Sequence, residues 1–433
     1  MRLFNFRNRE ILRLALPSIV QNVTVPLLGV ADVTIMGHIG DARHIGAIAV
    51  GSMIFNVMYW LCGFLRMGTS GLTAQAYGED RHGGKVEAIL YASLRLAFLI
   101  GLSMVVLQLP LRWLGFYLMR PTQDVAALCL PYFNICIWGA PAVLGLYALT
   151  GWFIGRQDTR TPMIVAITQN VINIALSALL VFGFGMGVDG VATGTLVAQW
   201  TGFFMACGAW RMKYRSTTHA SHTTSLPSFF TFHRDIFLRT LCLVAVNLYF
   251  TSAGAAQGAL TLAVNTLLMQ LFTLFSYFMD GFAYAAEAMT GRYYGAQDDK
   301  ALSNTIGSLF RWGWLMVALF TLIYWVGGTP FLRLLTTDAT VIQAASDYLP
   351  WAVLIPLCSM AAFVWDGVFI GTTYTRGMLI SCAVAAAVFF SLWFLLSPSM
   401  GNHALWVALL SYLALRGIIQ TYLWKNVSIF NRF

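Results

Sequence analysis

The sequence predicts an all-α integral membrane protein: twelve transmembrane helices in two pseudo-symmetric six-helix lobes. Three observations carry the prediction. Charged residues make up only 10% of the 433 residues while hydrophobic residues make up 58%, and a soluble chain carries roughly 25% charged residues to cover its wet surface. The apolar residues are gathered into runs of the length, about 20 residues, that crosses the hydrocarbon core of a bilayer as a helix. The second half of the chain also repeats features of the first.

Backbone groups cannot stay unpaired in lipid, so the apolar runs must be helical. Their cores fall at 11–36, 46–76, 87–109, 124–150, 162–183, 190–210, 237–256, 259–290, 306–327, 340–365, 378–397 and 404–424. The connections alternate in charge. Arg2, Arg7, Arg9, Arg81, Lys85, Arg156, Arg160, Arg211, Lys213, Arg215, Arg234, Arg239, Arg292, Lys300, Arg376, Lys425 and Arg432 lie on one side, and only Arg43, Arg112, Arg120 and Arg333 on the other. Basic connections stay cytoplasmic, which puts both termini in the cytoplasm. The same placement explains the net charge of +9 without a nucleic-acid partner. The basic residues before the first run are followed by too long an apolar stretch for a cleaved signal, so that stretch is read as the first span. The seven cysteines have neither disulfide nor ligand spacing and read as small apolar fillers.

The longest connection is rich in Ser, Thr and His from Ser216 to Ser225 and reads as a solvated linker. It divides an N-lobe, 1–215, from a C-lobe, 234–433, with the cytoplasmic linker at 216–233. Gly151-Trp-Phe-Ile-Gly155 resembles Gly367-Val-Phe-Ile-Gly371, and Thr159-Arg160 matches Thr375-Arg376 at the same offset of 216. Leu72-Thr-Ala-Gln-Ala-Tyr-Gly78 resembles Met289-Thr-Gly-Arg-Tyr-Tyr-Gly295 at 217. Six spans per half make both halves enter the membrane from the same side, the parallel-repeat arrangement of some transporters. A body built this way can rock open to one side and then the other.

Acids inside spans are costly and mark function. Asp32 is the only charge between Arg13 and Asp41. Burial disfavours the charged form of a carboxyl, which suits such a group to take up a proton or pair with a cation; the bland alternative is a structural acid paired with a neighbouring helix. Asn173 and Ser177 stand one helical turn apart, as do Thr195 and Gln199, and each pair alone is read more readily as helix-to-helix glue than as ligand. Asp280, Tyr284 and Glu287 form one polar stripe on an apolar helix, which should face a cleft or a buried partner. Asp366 reads as a span-end acid and, with Gln199, as a further candidate for the cleft or a charge relay, and Arg66 as a candidate partner for a buried acid. Pro17 and Pro26 each remove a hydrogen bond from the first span and would allow a bend beside Asp32, or a static kink.

The first glycine of a phosphate loop is missing before Gly83-Gly84-Lys85-Val86, and the His residues fall mostly in connections. No catalytic constellation emerges, so the chain is not read as an enzyme. It needs no cofactor, and an ion gradient must drive any active transport.

Several motifs together resemble the multidrug and toxic compound extrusion (MATE) family, specifically its DinF-like branch. They are Leu16-Pro17 with Ala31-Asp32; Gly71-Leu-Thr-Ala-Gln-Ala-Tyr-Gly78; Gly155-Arg-Gln-Asp-Thr-Arg-Thr-Pro162; Asp280-Gly-Phe-Ala-Tyr-Ala-Ala-Glu287; and Asp366-Gly-Val-Phe-Ile-Gly371. The resemblance covers nearly the whole chain. It implies a V-shaped pair of six-helix lobes that exports cationic, amphipathic compounds against inward proton or sodium flow. The family's N-lobe ion site matches Asp32, Asn173 and Thr195. It departs at Ser177, where many relatives carry a second acid, and at Leu28, where some offer a tyrosine hydroxyl. A hard cation prefers several oxygen ligands with compensating charge, so the resemblance favours protons over sodium here, with no other metal expected. The expectation is a proton-coupled, monomeric antiporter in which protonation of Asp32 from outside lowers cargo affinity. A flippase for a lipid or lipid-linked cargo on the same superfamily fold is the alternative.

Overall fold

Fifteen α-helices, one 3-10 turn and one π-helical segment, Leu179–Gly183, account for the regular structure of the computed structural model, which describes residues 6–38, 42–80, 84–214 and 226–426; no strand occurs among them. The first half contains α1 (Phe6–Gly37), α2 (Ala42–Leu61), α3 (Phe64–Glu79), α4 (Gly84–Val106), α5 (Gln108–Met119), α6 (Gln123–Cys136), α7 (Ala140–Gly155), α8 (Arg160–Ala178) and α9 (Val188–Tyr214). The second contains α10 (Leu226–Ala256), α11 (Ala259–Gly295), α12 (Asp299–Leu335), α13 (Ala339–Gly371), α14 (Thr375–Met400) and α15 (Asn402–Asn426). The six expected spans of the second half are six unbroken helices. In the first half, α2 and α3 share the second span across a turn at Cys62 and Gly63. A short 3-10 turn, Ile137–Gly139, separates α6 from α7 within the fourth. Pro141 stands in the first turn of α7, where its missing N–H is no loss.

Among the described residues, eleven segments are long and apolar enough to cross a membrane. They match the expected spans except the sixth, 190–210, which lies in α9. Thr193, Thr195, Gln199 and Thr201 dilute that helix, although it packs against α8, α6 and α7. A helix lined by neighbours can carry polar side chains that a lipid-facing one cannot.

The chain divides into two compact units, Val20–Phe229 and Met1–Ile19 with Phe230–Phe433. The division therefore passes through α1, between Pro17 and Pro26, and α1 up to Ile19 groups with the second half rather than with the first. Early in α1, Ala15 and Ile19 lie against Gly281 of α11. Farther along, Asn170 Nδ2 of α8 donates to Thr24 O at 3.1 Å. The helix runs through both prolines without a break. Residues 216–225 of the expected linker, with His219 and His222, lie outside the described residues, and from Leu226 the backbone is already helical in α10.

The internal repeat is built into the packing. Gly155 of α7 lies so close to α3 that a Cβ there would stand 2.7 Å from Ser70 O; at Gly371 of α13 a Cβ would stand 2.8 Å from Glu287 O on α11. Gly151 and Gly367 make the equivalent approaches one turn earlier, against Arg66 O and Ala283 O. Both α7 and α13 end alike. Asp158 N donates to Phe153 O at 2.9 Å and Gln157 N to Ile154 O at 2.8 Å, while Tyr374 N donates to Phe369 O at 2.8 Å and Thr373 N to Ile370 O at 3.1 Å. Gln157 and Thr373, at φ 66° and 57°, hold the left-handed position of this helix-closing motif.

Candidate ion-coupling site

In the first half, three polar side chains form one bonded group. Asn173 Nδ2 of α8 donates to Thr195 Oγ1 of α9 at 3.0 Å, and Ser177 Oγ faces Asn173 Oδ1 at 3.4 Å. Helical spacing puts Asn173 and Ser177 on one face, and Gly194 lets α9 approach the backbone of Ser177. Asn173 is 1% exposed and Ser177 fully buried.

Asp32 of α1 is 6% exposed, and its Oδ1 has no hydrogen-bond partner. The structure therefore does not bond Asp32 to the Asn173 group. The side chains within its electrostatic reach include the buried Tyr132 and Cys136 of α6, and Tyr132 OH pairs with Ser52 Oγ at 3.2 Å. A buried carboxyl oxygen lacking a donor is expensive, and a proton or a cation would satisfy it. Asn173 Oδ1 and Thr195 Oγ1 are oxygens of the kind a sodium ion takes. Gln199, one turn beyond Thr195, has a buried Oε1 without a partner. Among the described residues no three His, Cys, Asp or Glu side chains gather to hold a metal ion.

In the second half the stripe on α11 divides by depth: Asp280 and Tyr284 are half-buried and Glu287 is buried. Arg66 is buried on α3. Asp366 is engaged by cations that the sequence reading assigned elsewhere or did not single out. Arg239 Nη2 of α10 and Arg416 Nη2 of α15 both donate to Asp366 Oδ2, the latter at 2.6 Å, and Gln420 Nε2 donates to Oδ1 at 2.6 Å. All four residues are buried. Charge counting places Arg239 with the basic residues of the central connection; it is an interior residue, because α10 begins well before it. Arg416 and Gln420 stand one turn apart in the last span, and a lone arginine in an apolar run was the available signal.

At the turn between α7 and α8, outside the spans, Asp158 accepts from Thr161 N at 3.0 Å, Thr161 Oγ1 at 2.6 Å and Tyr214 OH at 2.8 Å. Burial works against its ionisation, but the bonds from Thr161 and Tyr214 and the nearby Lys213 outweigh it and hold the carboxyl below its ordinary range. Beside it, Arg156 Nη1 reaches Glu87 Oε1 at 3.4 Å and lies over the ring of Tyr214 at 4.4 Å. This network ties α4, α7, α8 and α9 together at one end.

A membrane body made twice over, with a buried carboxyl in its first span, has the form of a secondary transporter. The MatE family profile matches residues 17–179 and again 236–395, so the duplication seen in the packing is also the family's, and the chain belongs to the MatE family of membrane transporters. It is 36% identical to DNA damage-inducible protein F of Escherichia coli (strain K12) over 425 residues, 97% of this chain and 92% of that one. It is 24% identical to the probable multidrug resistance protein NorM of Thermotoga maritima, over 77% of this chain and 74% of that one. A crystal structure of MATE in the bent conformation superposes with a TM-score of 0.88 at 17% identity, covering 99% of this chain and 96% of the other. An outward-facing multidrug resistance MATE family transporter gives 0.86 at 19%, covering 98% and 96%. At those identities the likeness shows the fold.

Proposed function

We propose that this chain is an antiporter that exports cationic or amphipathic organic compounds in exchange for protons by alternating access. Asp32 is the proton carrier. Asn173, Ser177 and Thr195 form the adjoining polar wall, and Asp280, Tyr284 and Glu287 line the cargo path. The two halves act as lobes joined by the central linker, with α1 bending between Pro17 and Pro26. The transporter works as a monomer in a bacterial inner membrane with both termini cytoplasmic. The observation that carries the reading is Asp32: a buried carboxyl with a partnerless oxygen in a family of multidrug exporters. Ser177 in place of a second acid favours protons over sodium, because it leaves a cation one carboxylate fewer.

Protonation of Asp32 from outside alters packing around the first span and lowers cargo affinity. Cargo leaves outward, the lobes rock, and the proton leaves inward. The test is export of ethidium from proteoliposomes under a proton gradient or a sodium gradient, with wild type beside Asp32→Asn. Proton-driven export that the substitution abolishes is the expected result. Full gradient-driven export by Asp32→Asn would end this account, and sodium-driven export would reassign the coupling ion. No export under either gradient, from folded protein, would bring forward a lipid or lipid-linked cargo.

A further inference from the structure

The charge cluster of the second half does not balance. Two guanidiniums, Arg239 and Arg416, surround one carboxylate, Asp366. Asp366 is the one carboxylate bonded to either arginine among the described residues. The fourth member, Gln420, is neutral, so the buried group carries one net positive charge. Guanidinium groups stay protonated in proteins, so neither arginine can relieve the excess by losing its own proton, and an unpaired interior charge is costly. Each guanidinium also keeps an idle donor: Arg239 Nε and Arg416 Nε are buried without an acceptor.

We propose that Arg239 and Arg416 together hold a compact monovalent anion, a halide or a carboxylate, at a site separate from Asp32. The two idle Nε–H groups are its donors, and the net charge of the cluster is its electrostatic attraction. Gln420 Oε1, also without a partner, is an acceptor, and a water shared with the anion satisfies it. Asp366 sets the affinity by cancelling one of the two positive charges. The acid therefore acts as a positioning residue for the arginines and is closed to a coupling cation. The protein's own rival for the role of counter-ion is the thiol of Cys382, which meets Arg239 O at 3.7 Å and Tyr412 OH at 3.3 Å.

The test uses the purified full chain in detergent, with its thermal unfolding midpoint followed as gluconate is replaced by chloride, bromide or acetate at constant ionic strength and pH. Wild type is expected to gain stability saturably. A response to chloride and bromide alone makes the ligand a halide, and a response to acetate makes it a carboxylate. Asp366→Asn adds one unit of positive charge a few ångströms from the anion, so its half-saturating concentration should fall at least about tenfold. Arg239→Gln removes one unit and should abolish the response, while Asp32→Asn should keep it even though the proposed transport fails. Equal behaviour in gluconate and in every test anion, for wild type and Asp366→Asn alike, overturns the proposal. So does a response that emerges only in Cys382→Ser, since the thiolate would then be the native counter-ion. If Asp366→Asn gives no folded protein, saturable binding of radioactive chloride to wild type decides, and its absence, together with no stabilisation by acetate, refutes the site.

Discussion

The two halves share a frame and fill it differently. Gly155 and Gly371 bring α7 onto α3 and α13 onto α11 in the same way, and the turns that follow close with the same pair of backbone bonds. At the repeat offset of 216, however, the buried Asn173 and Ser177 of α8 correspond to Phe389 and Trp393 of α14. Those rings crowd around Tyr249. The carboxyls contrast in the same sense. Asp32 leaves a buried oxygen without a donor, while Asp366 accepts from two arginines and a glutamine. One half leaves a buried carboxyl oxygen open, and the other bonds its buried carboxyl to three side chains.

The sharpest way to break that contrast is to neutralise each acid. Asp366→Asn, without added anion, strands two buried guanidiniums and should cost about 3–5 kcal/mol, read as a large fall in thermal midpoint in detergent. Asp32→Asn removes a charge that holds no buried partner and should leave stability unchanged or raised while transport is lost. Equal losses at both positions would mean that Asp32 is structurally paired after all.

The shared frame makes a second, symmetrical prediction. Gly155→Ala and Gly371→Ala each push a methyl group toward a backbone carbonyl that cannot swing aside. Each should cost about 1–3 kcal/mol, and the two losses should be similar. Gly307→Ala in α12 meets open space and should be neutral or stabilising by up to about 1 kcal/mol. A large loss at one glycine only would show that the halves do not depend equally on the repeat.

The turn after α7 separates the halves again, because Asp158 has Tyr374 as its counterpart at the same offset. Asp158→Ala removes the acceptor of Thr161 N and should cost about 1 kcal/mol. The carboxyl is held below its ordinary range, so its contribution is complete above the unfolded value of about 3.9 and is lost as pH falls through the lower folded value. The stability gap between wild type and Asp158→Ala should therefore be constant near neutrality and close in strong acid. A gap that persists there would assign the effect to packing against Tyr214.

Much of this was legible in the sequence. Twelve apolar runs, a charge alternation and the offset glycines are one-dimensional signals of the medium and the repeat, and the structure places helices on each run. Asp32 stood out because a lone acid in a span is visible without coordinates. The bond between Asn173 and Thr195 joins two helices, so only the match to family motifs paired them beforehand. Arg239 lies just inside the expected core at 237–256, and charge counting still groups it with the basic connection because it treats every basic residue near a span end as solvated; α10 starts about eleven residues before that core, which makes Arg239 interior. Arg416 and Gln420 show the complementary limit. Two other helices, α10 and α15, converge on Asp366, and no spacing rule within one helix reports a partner from another. The sixth span has the opposite character, since the polar residues that weaken its membrane signature are those that serve α8 and α9.

The smallest expected effect tests how much Ser177 contributes. Its hydroxyl stands 3.4 Å from Asn173 Oδ1, a long bond, and Ala fits wherever Ser does. Ser177→Ala should therefore cost less than about 1 kcal/mol and leave proton-driven export intact, because Asp32 and the bond from Asn173 to Thr195 remain. Ser177→Asp is the informative partner. It places a second carboxylate beside Asn173 Oδ1, in the half where no arginine is bonded to Asp32, and so supplies the charge that a sodium site lacks here. Sodium-stimulated export in Ser177→Asp but not in wild type is the expected reading of paired proteoliposome assays. Sodium stimulation of both would mean that neutral oxygens suffice, and the contrast between a proton site and a sodium site would no longer rest on this residue.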